Sequence, residues 1–246
     1  MINLVSFGSN EEYLNLSNDV LKQMSSLYKN SRIKLYNSSD LPDDFLLKAR
    51  SFPKGYGYFI WKPFIVKDTL EKMDESEILL YIDGRTGFVN KKNIFNFQNK
   101  ILKISWLNKF IKNKNYDCAF WQMEKNIEKI WTTGDLFKKF NIKLESNEAN
   151  DSQFSATFFC IRKNEKTIQF IDSWYQFLLN NYEICRDNIS KEINSFDFIE
   201  NRYDQSVLSL LLKTKFTSLN KLIIRDEEIY NKFSLVPHVK EHPKKF

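Results

Sequence analysis

The sequence predicts an α/β fold: a mixed, mostly parallel sheet flanked by helices. Three observations carry that prediction. Short apolar runs alternate with longer segments of helical period along most of the chain. One run, "EILLYID" at 77–83, is apolar at every interior position, as a strand covered on both faces must be. The 246 residues, 42% hydrophobic and 15% aromatic, suffice to bury one full core, so a single domain over 1–246 is expected.

"INLVSF" (2–7) reads as a first buried strand, with no basic region or small-residue cleavage site to suggest a signal peptide. "NEEYLNLSNDVLKQMSSLY" follows as an amphipathic helix, with Leu14, Val20, Leu21, Met24 and Leu27 near helical spacing. "RIKLYN" is a second strand and "LPDDFLLKAR" a short helix. "SFPKGYGYFIWKPF" is an aromatic, glycine-bearing loop, and Pro63 is placed to open the helix "PFIVKDTLEKM". "EILLYID" is the third strand and is expected at the centre of the sheet. "KILKISWLNKFI" has the helical period, "YDCAFWQM" reads as a strand and "TTGDLFKKFNI" as a helix behind cap-type residues. A strand "SATFFCIRK", two helices "EKTIQFIDSWYQFLLNNY" and "DQSVLSLLLKTK", and "SLNKLIIRD" to close the sheet complete the order.

In such sheets ligands gather at the carboxyl ends of the strands. A strand buried on both faces cannot hold a charge within it, so Asp83 belongs where the third strand emerges, at that edge. The plainer alternative is a turn residue, since Asp-Gly is an ordinary turn pair. Asp204 with Gln205 stands directly before an apolar helix, where Asp204 and Ser206 can also serve as caps. Gln153 lies in the polar cluster ahead of "SATFFCIRK", and both histidines, His238 and His242, lie near the end.

Bulk properties narrow the classes further. Cys118, Cys160 and Cys185 are far apart and odd in number, which reads as reduced buried thiols in a cytoplasmic protein. No apolar run nears the ~20 residues that span a bilayer. Net charge is +6, with 37 basic and 31 acidic residues. That excess suits nucleic acid, an anionic membrane or a phosphorylated substrate without choosing among them. No helix carries a dense basic stripe, which speaks against nucleic acid. The basic tail "HVKEHPKKF" allows peripheral contact with the inner face of a membrane.

Three motifs, "GYGYFIWKP" (55–63), "YIDGRTG" (81–87) and "NRYDQSVLSLL" (201–211), stand in an order and spacing that resemble nucleotide-sugar glycosyltransferases of the GT-A fold. The closest likeness is to small bacterial enzymes of capsular polysaccharide and lipopolysaccharide synthesis, with a looser similarity to glycosyltransferase family eight. The resemblance implies a Rossmann-like fold, with 1–100 mainly binding the nucleotide sugar and 101–246 mainly the acceptor side and tail. It implies transfer of a hexose-type sugar, most simply from a UDP-sugar, to a saccharide or lipid-linked saccharide acceptor, with retention. Asp83, Asp204 and Gln205 become the catalytic candidates. Phe7, Gly8, Tyr58, Trp61, Lys62, Asp83 and Arg85 become the donor-binding candidates, and Thr133, Asp135 and Gln153 the acceptor-binding ones.

Breaking the anomeric C–O bond leaves charge on the diphosphate, which something positive must meet. In most GT-A enzymes Mn²⁺ or Mg²⁺ does so, held by an Asp-x-Asp pair and sometimes a late histidine. Here the second carboxylate is absent and the triplet reads Asp83-Gly84-Arg85. Two arrangements meet the need: a metal on Asp83 and His238, or no metal, with Arg85 and Lys62 or a tail lysine in its place. Inversion stays open too, with Asp151 or Asp135 as base. The competing classes are an inert binding module of the same fold and a nucleic-acid-binding α/β protein.

Overall fold

This computed structural model describes residues 1–84, 105–187 and 190–229. Among the described residues six strands form one sheet: β1 (Ile2–Gly8), β2 (Ser31–Asn37), β3 (Ile78–Ile82), β4 (Cys118–Ile127), β5 (Ser152–Arg162) and β6 (Lys221–Ile224), in the order β2-β1-β3-β5-β4-β6. β2, β1 and β3 are mutually parallel, as are β4 and β6, while β5 runs antiparallel to both its neighbours. The sheet is therefore mixed and mostly parallel, as expected, and β3 is central. The reversal of β5 has no signature in its apolar run, because side-chain alternation is the same in either direction.

Alternation assigns each strand residue to one of two cores. Leu79 and Tyr81 of β3 face the side packed by α4 (Trp61–Lys72), α8 (Glu165–Asn180) and α9 (Asp204–Thr214). Ile78, Leu80 and Ile82 face the side packed by α1 (Glu11–Leu27) and α5 (Ser105–Lys112). Shorter helices are α2 (Asp43–Ser51), the one-turn α3 (Gly55–Tyr58), α6 (Gly134–Lys139), α7 (Asn147–Asn150) and α10 (Asp226–Ile229). The ends of the long helices follow local chemistry. Asn10 accepts a hydrogen bond from Tyr13 N at 3.0 Å to start α1, and Asn164 with Thr167 forms a capping box for α8.

Two expectations shift. α4 begins at Trp61, so Pro63 is its third residue, still within the first turn where a missing N–H costs nothing. The helix expected over 132–142 shortens to α6. Among the described residues no helix is long and apolar enough to cross a membrane. All three cysteines are buried and free.

Candidate active site

The sheet places its irregularity where the motifs meet. Between the pairs Phe120–Phe159 and Gln122–Phe154, β5 spends five residue steps against two on β4. That bulge lifts Ser155, Ala156 and Thr157 out of the β4 ladder, and bulges beside sites commonly re-aim backbone groups in this way. Both polar groups of Ala156 are redirected to side chains. Its N–H donates to Gln205 Oε1 at 3.2 Å, and its carbonyl accepts from Lys62 Nζ at 3.1 Å. Thr157 O accepts from Asp83 N at 2.8 Å, just past the end of β3.

Lys62 comes from the first turn of α4 and is 3% exposed. Its ammonium lies 3.4 Å from Asp83 Oδ1 and 3.2 Å from Asp204 Oδ2. Asp204 opens α9, a helix end that favours negative charge. Yet its Oδ2 has no hydrogen bond among the described residues; the approach to Lys62 is an ion pair without hydrogen-bond alignment. Burial, with Asp83 adding to it against the pull of Lys62, pushes the Asp204 carboxyl up to about 6. Burial alone would lower the pKa of Lys62, but Asp204 and Asp83 outweigh it and hold the ammonium above its ordinary value. Tyr81, two residues before Asp83 on the same strand face, donates its hydroxyl to Asp83 Oδ1. Burial and the neighbouring Asp83 hold that phenol well above its usual pKa, so it remains a donor. The side chain of Asp83 is 28% exposed, against 5% for Asp204.

Gly84 explains part of the Asp-Gly-Arg triplet. A Cβ there would collide with Ser17 of α1, its backbone included. The chain can leave β3 along this path only with glycine.

The "GYGYF" stretch adopts an unusual backbone. Gly55, Tyr56, Gly57, Tyr58 and Phe59 all have φ between 52° and 84°. Together they make one left-handed turn, closed by Tyr58 N to Lys54 O at 2.8 Å and Phe59 N to Gly55 O at 3.0 Å. Three of the five are not glycine, which costs about 1–2 kcal/mol for each. Ring packing holds the turn in place. Trp61 stacks on Phe7 at 4.1 Å and donates to Gly55 O at 3.0 Å. Tyr58 lies 5.0 Å from Tyr203, itself strained at φ 48°, whose hydroxyl donates to Asp187 at 2.6 Å. The glycines thus serve handedness here, and Tyr58 and Trp61 serve both the core and the rim.

The structure joins Asp83, Lys62, Asp204, Gln205 and Gln153 into one chain of contacts. Gln205 Nε2 donates to Gln153 Oε1 at 2.9 Å, and Gln153 is wholly buried within β5. Phe7 and Gly8 end β1. Thr133 and Asp135 stand apart from that chain: Thr133 is buried before α6, and Asp135 accepts from the N–H groups of Lys191 and Glu192, so it anchors the loop opposite. Asp151 accepts from Gln122 Nε2 at 2.8 Å. Arg85, His238, His242 and the basic tail lie outside the described residues. Sequence reasoning reached the strand entry Ser155-Ala156-Thr157 through the family resemblance but missed the task of the Ala156 backbone, since a backbone group carries no sequence signal, and it missed Glu128, which bonds to Gln153 from the core. Tyr81 was missed as well, although its two-residue offset from Asp83 sets both on the same strand face.

Among the described residues no three His, Cys, Asp or Glu side chains gather where a metal could sit. Asp83 and Asp204, the carboxylates nearest the motifs, already face an ammonium. These residues do not fit a Mn²⁺ or Mg²⁺ site by themselves.

No protein-family model matches the chain, and no curated protein matches it. Among solved structures it is similar to a glycosyltransferase involved in the glycosylation of the major capsid of PBCV-1, with a TM-score of 0.46 and 13% identity, over 91% of this chain and 80% of that one. The likeness is loose.

Proposed function

We propose that the chain is a glycosyltransferase of the GT-A type that moves a hexose-type sugar from a nucleotide diphosphate, a UDP-sugar in the simplest case, to a saccharide hydroxyl. The observation that carries the proposal is the convergence of three separated motifs on the bulge of β5. Lys62 comes from "GYGYFIWKP", Asp83 from "YIDGRTG", and Asp204 with Gln205 from "NRYDQSVLSLL".

Each group has a distinct task. Asp83 keeps its second carboxylate oxygen for hydroxyls of the donor. Lys62 is turned to the two carboxylates and Ala156 O, so it positions Asp83 and Asp204. Arg85, two residues past Asp83, meets the diphosphate. The rings of Phe7, Tyr58 and Trp61 flank the nucleotide end, and Thr133 and Asp135 lie on the acceptor side. In the retaining reaction the C1–O bond to the diphosphate breaks and its electron pair leaves with the phosphate oxygen. The acceptor oxygen bonds to C1 on the same face, and its proton passes to the departing diphosphate. The amide of Gln205 stands beside that face. A lipid-linked acceptor in surface polysaccharide or lipopolysaccharide synthesis would bring the basic tail to a membrane.

A thermal-shift screen of nucleotide sugars, with and without Mn²⁺, tests this. Ligand at one hundred times its dissociation constant adds about 2.7 kcal/mol of apparent stability. Turnover of the stabilising donor is expected to fall by roughly 10²-fold or more in Asp83→Ala and Gln205→Ala. A dependence on Mn²⁺ for binding would bring a metal into the site, and the product's anomeric proton by NMR reads retention. Failure of every nucleotide sugar to bind, with DNA binding that falls steeply with salt, would overturn the proposal.

A further inference from the structure

Behind Gln205 lies a wholly buried carboxylate, Glu128, in the turn after β4. Its four nearest donors are all supplied by the protein. Oε1 accepts from Thr132 Oγ1 and Gln153 Nε2, each at 2.8 Å, and Oε2 accepts from Ser209 Oγ at 2.5 Å and Lys213 Nζ at 2.8 Å. A carboxylate so paired can only accept. Gln153 must therefore turn its NH₂ toward Glu128 and its carbonyl toward Gln205, which in turn must present its own NH₂ to Gln153 at 2.9 Å. That leaves Gln205 Oε1 for the Ala156 N–H, where a donor indeed waits at 3.2 Å. The orientation of the Gln205 amide is thus dictated from both ends, and the two ends agree. What remains of Gln205 for a ligand is one Nε2 proton and one lone pair on Oε1.

We infer that Glu128 is a positioning residue that, acting through Gln153, fixes the amide of Gln205 in one orientation at the site. The inference rests on the glycosyl-transfer reading for its effect on rate, but not for its effect on the amide. The locked orientation offers an N–H donor, already aimed, to an oxygen that gains charge as the anomeric bond breaks.

Two variants test it. Gln153→Met removes the relay at similar volume and keeps the Glu128–Lys213 pair. Glu128→Gln removes the acceptor-only character, and Lys213 retains Asp151 at 3.8 Å as a charge partner. In ¹⁵N spectra, with Gln205→Ala used for assignment, the Gln205 side-chain NH₂ of the wild type is expected to be shifted and slow to exchange. Both variants are expected to lose that protection. With a donor that turns over, kcat is expected to fall at least tenfold while KM stays within twofold, and Gln153→Met to be the more severe. Unchanged Gln205 resonances in both folded variants would overturn the inference, as would kcat and KM changing together in proportion to Tm. Absence of turnover in the wild type would count against the glycosyl-transfer reading alone, since the amide spectra decide the positioning role without it.

Discussion

The two ends of α9 carry two buried lysine–carboxylate clusters, and they are built on opposite principles. At the C-terminal end Lys213 meets Glu128 at 2.8 Å and donates as well to Glu148 O and Asp151 O, both at 3.3 Å. One ammonium faces one buried carboxylate at hydrogen-bond distance, with the exposed Asp151 farther off at 3.8 Å, and the hydrogen bonds around the buried pair are filled. At the N-terminal end one ammonium, Lys62, is shared by two carboxylates, an oxygen of Asp204 lacks a hydrogen bond, and Asp83 reaches solvent. Burial of charge is common to both, so burial does not mark a site. Incomplete satisfaction does: a filled cluster fixes the scaffold, whereas an unfilled one keeps a demand that a ligand can meet.

The largest expected effect separates the two by removing each lysine. Lys213→Met removes the cation from the buried Glu128–Lys213 pair and is expected to cost about 3–5 kcal/mol in chemical denaturation. Lys62→Met is expected to cost clearly less, because Asp204 takes up a proton readily and Asp83 finds water. Its turnover, however, should fall by roughly 10²-fold or more. Adding Asp204→Asn to Lys62→Met should recover stability without recovering turnover. Equal losses of stability in the two lysine variants would remove the distinction between the clusters.

A smaller effect lies in the pH dependence. The Asp204 carboxyl is raised from 3.8 to about 6 in the folded chain, so the folded state holds a proton that the unfolded state has released. The stability this contributes is present below about 3.8 and is lost as pH rises through about 6. Thermal midpoints measured between those values should decline for the wild type relative to Asp204→Asn. A parallel course for the two proteins would place the titration elsewhere.

Much of this was legible in the residues. Apolar runs located the strands, and a charge at the end of an all-apolar strand could only sit at the sheet edge, which is where Asp83 stands. Motif order brought Lys62, Asp204 and Gln205 into consideration before any geometry was available. What stayed hidden is nonlocal. The Glu128–Lys213 pair joins residues 85 positions apart, and in "MEKNIEKIW" Glu128 looks like any solvated charge. The bulge at Ala156 is a mismatch between two strands and belongs to neither sequence alone. Left-handedness at "GYGYF" was half visible, since two glycines suggest it and three aromatics argue against it. Gln153, read as a polar residue ahead of a strand, lies inside β5.

The smallest effect probes that turn. Gly57→Ala has room, with the nearest atom 3.4 Å from the added Cβ, so its cost is the φ of 84° alone and should be about 1–2 kcal/mol. A neutral result would mean the turn is right-handed in solution.

That left-handed turn also has a consequence for the order in which the molecule comes apart. Its backbone opposes its own shape, and the packing of rings such as Phe7, Trp61, Tyr58 and Tyr203, together with the hydrogen bonds that close the turn, keeps it there. It cannot nucleate by itself, so it forms after the strands and helices that carry those rings. On gentle destabilisation it is expected to be the first part of the site to relax, before the sheet opens. Amide exchange at 56–60 should then run ahead of exchange in β1 and β3, and a bound ligand that packs on the rings should slow it. The rim of the site is in this sense metastable, and its structure is on loan from the core beneath it.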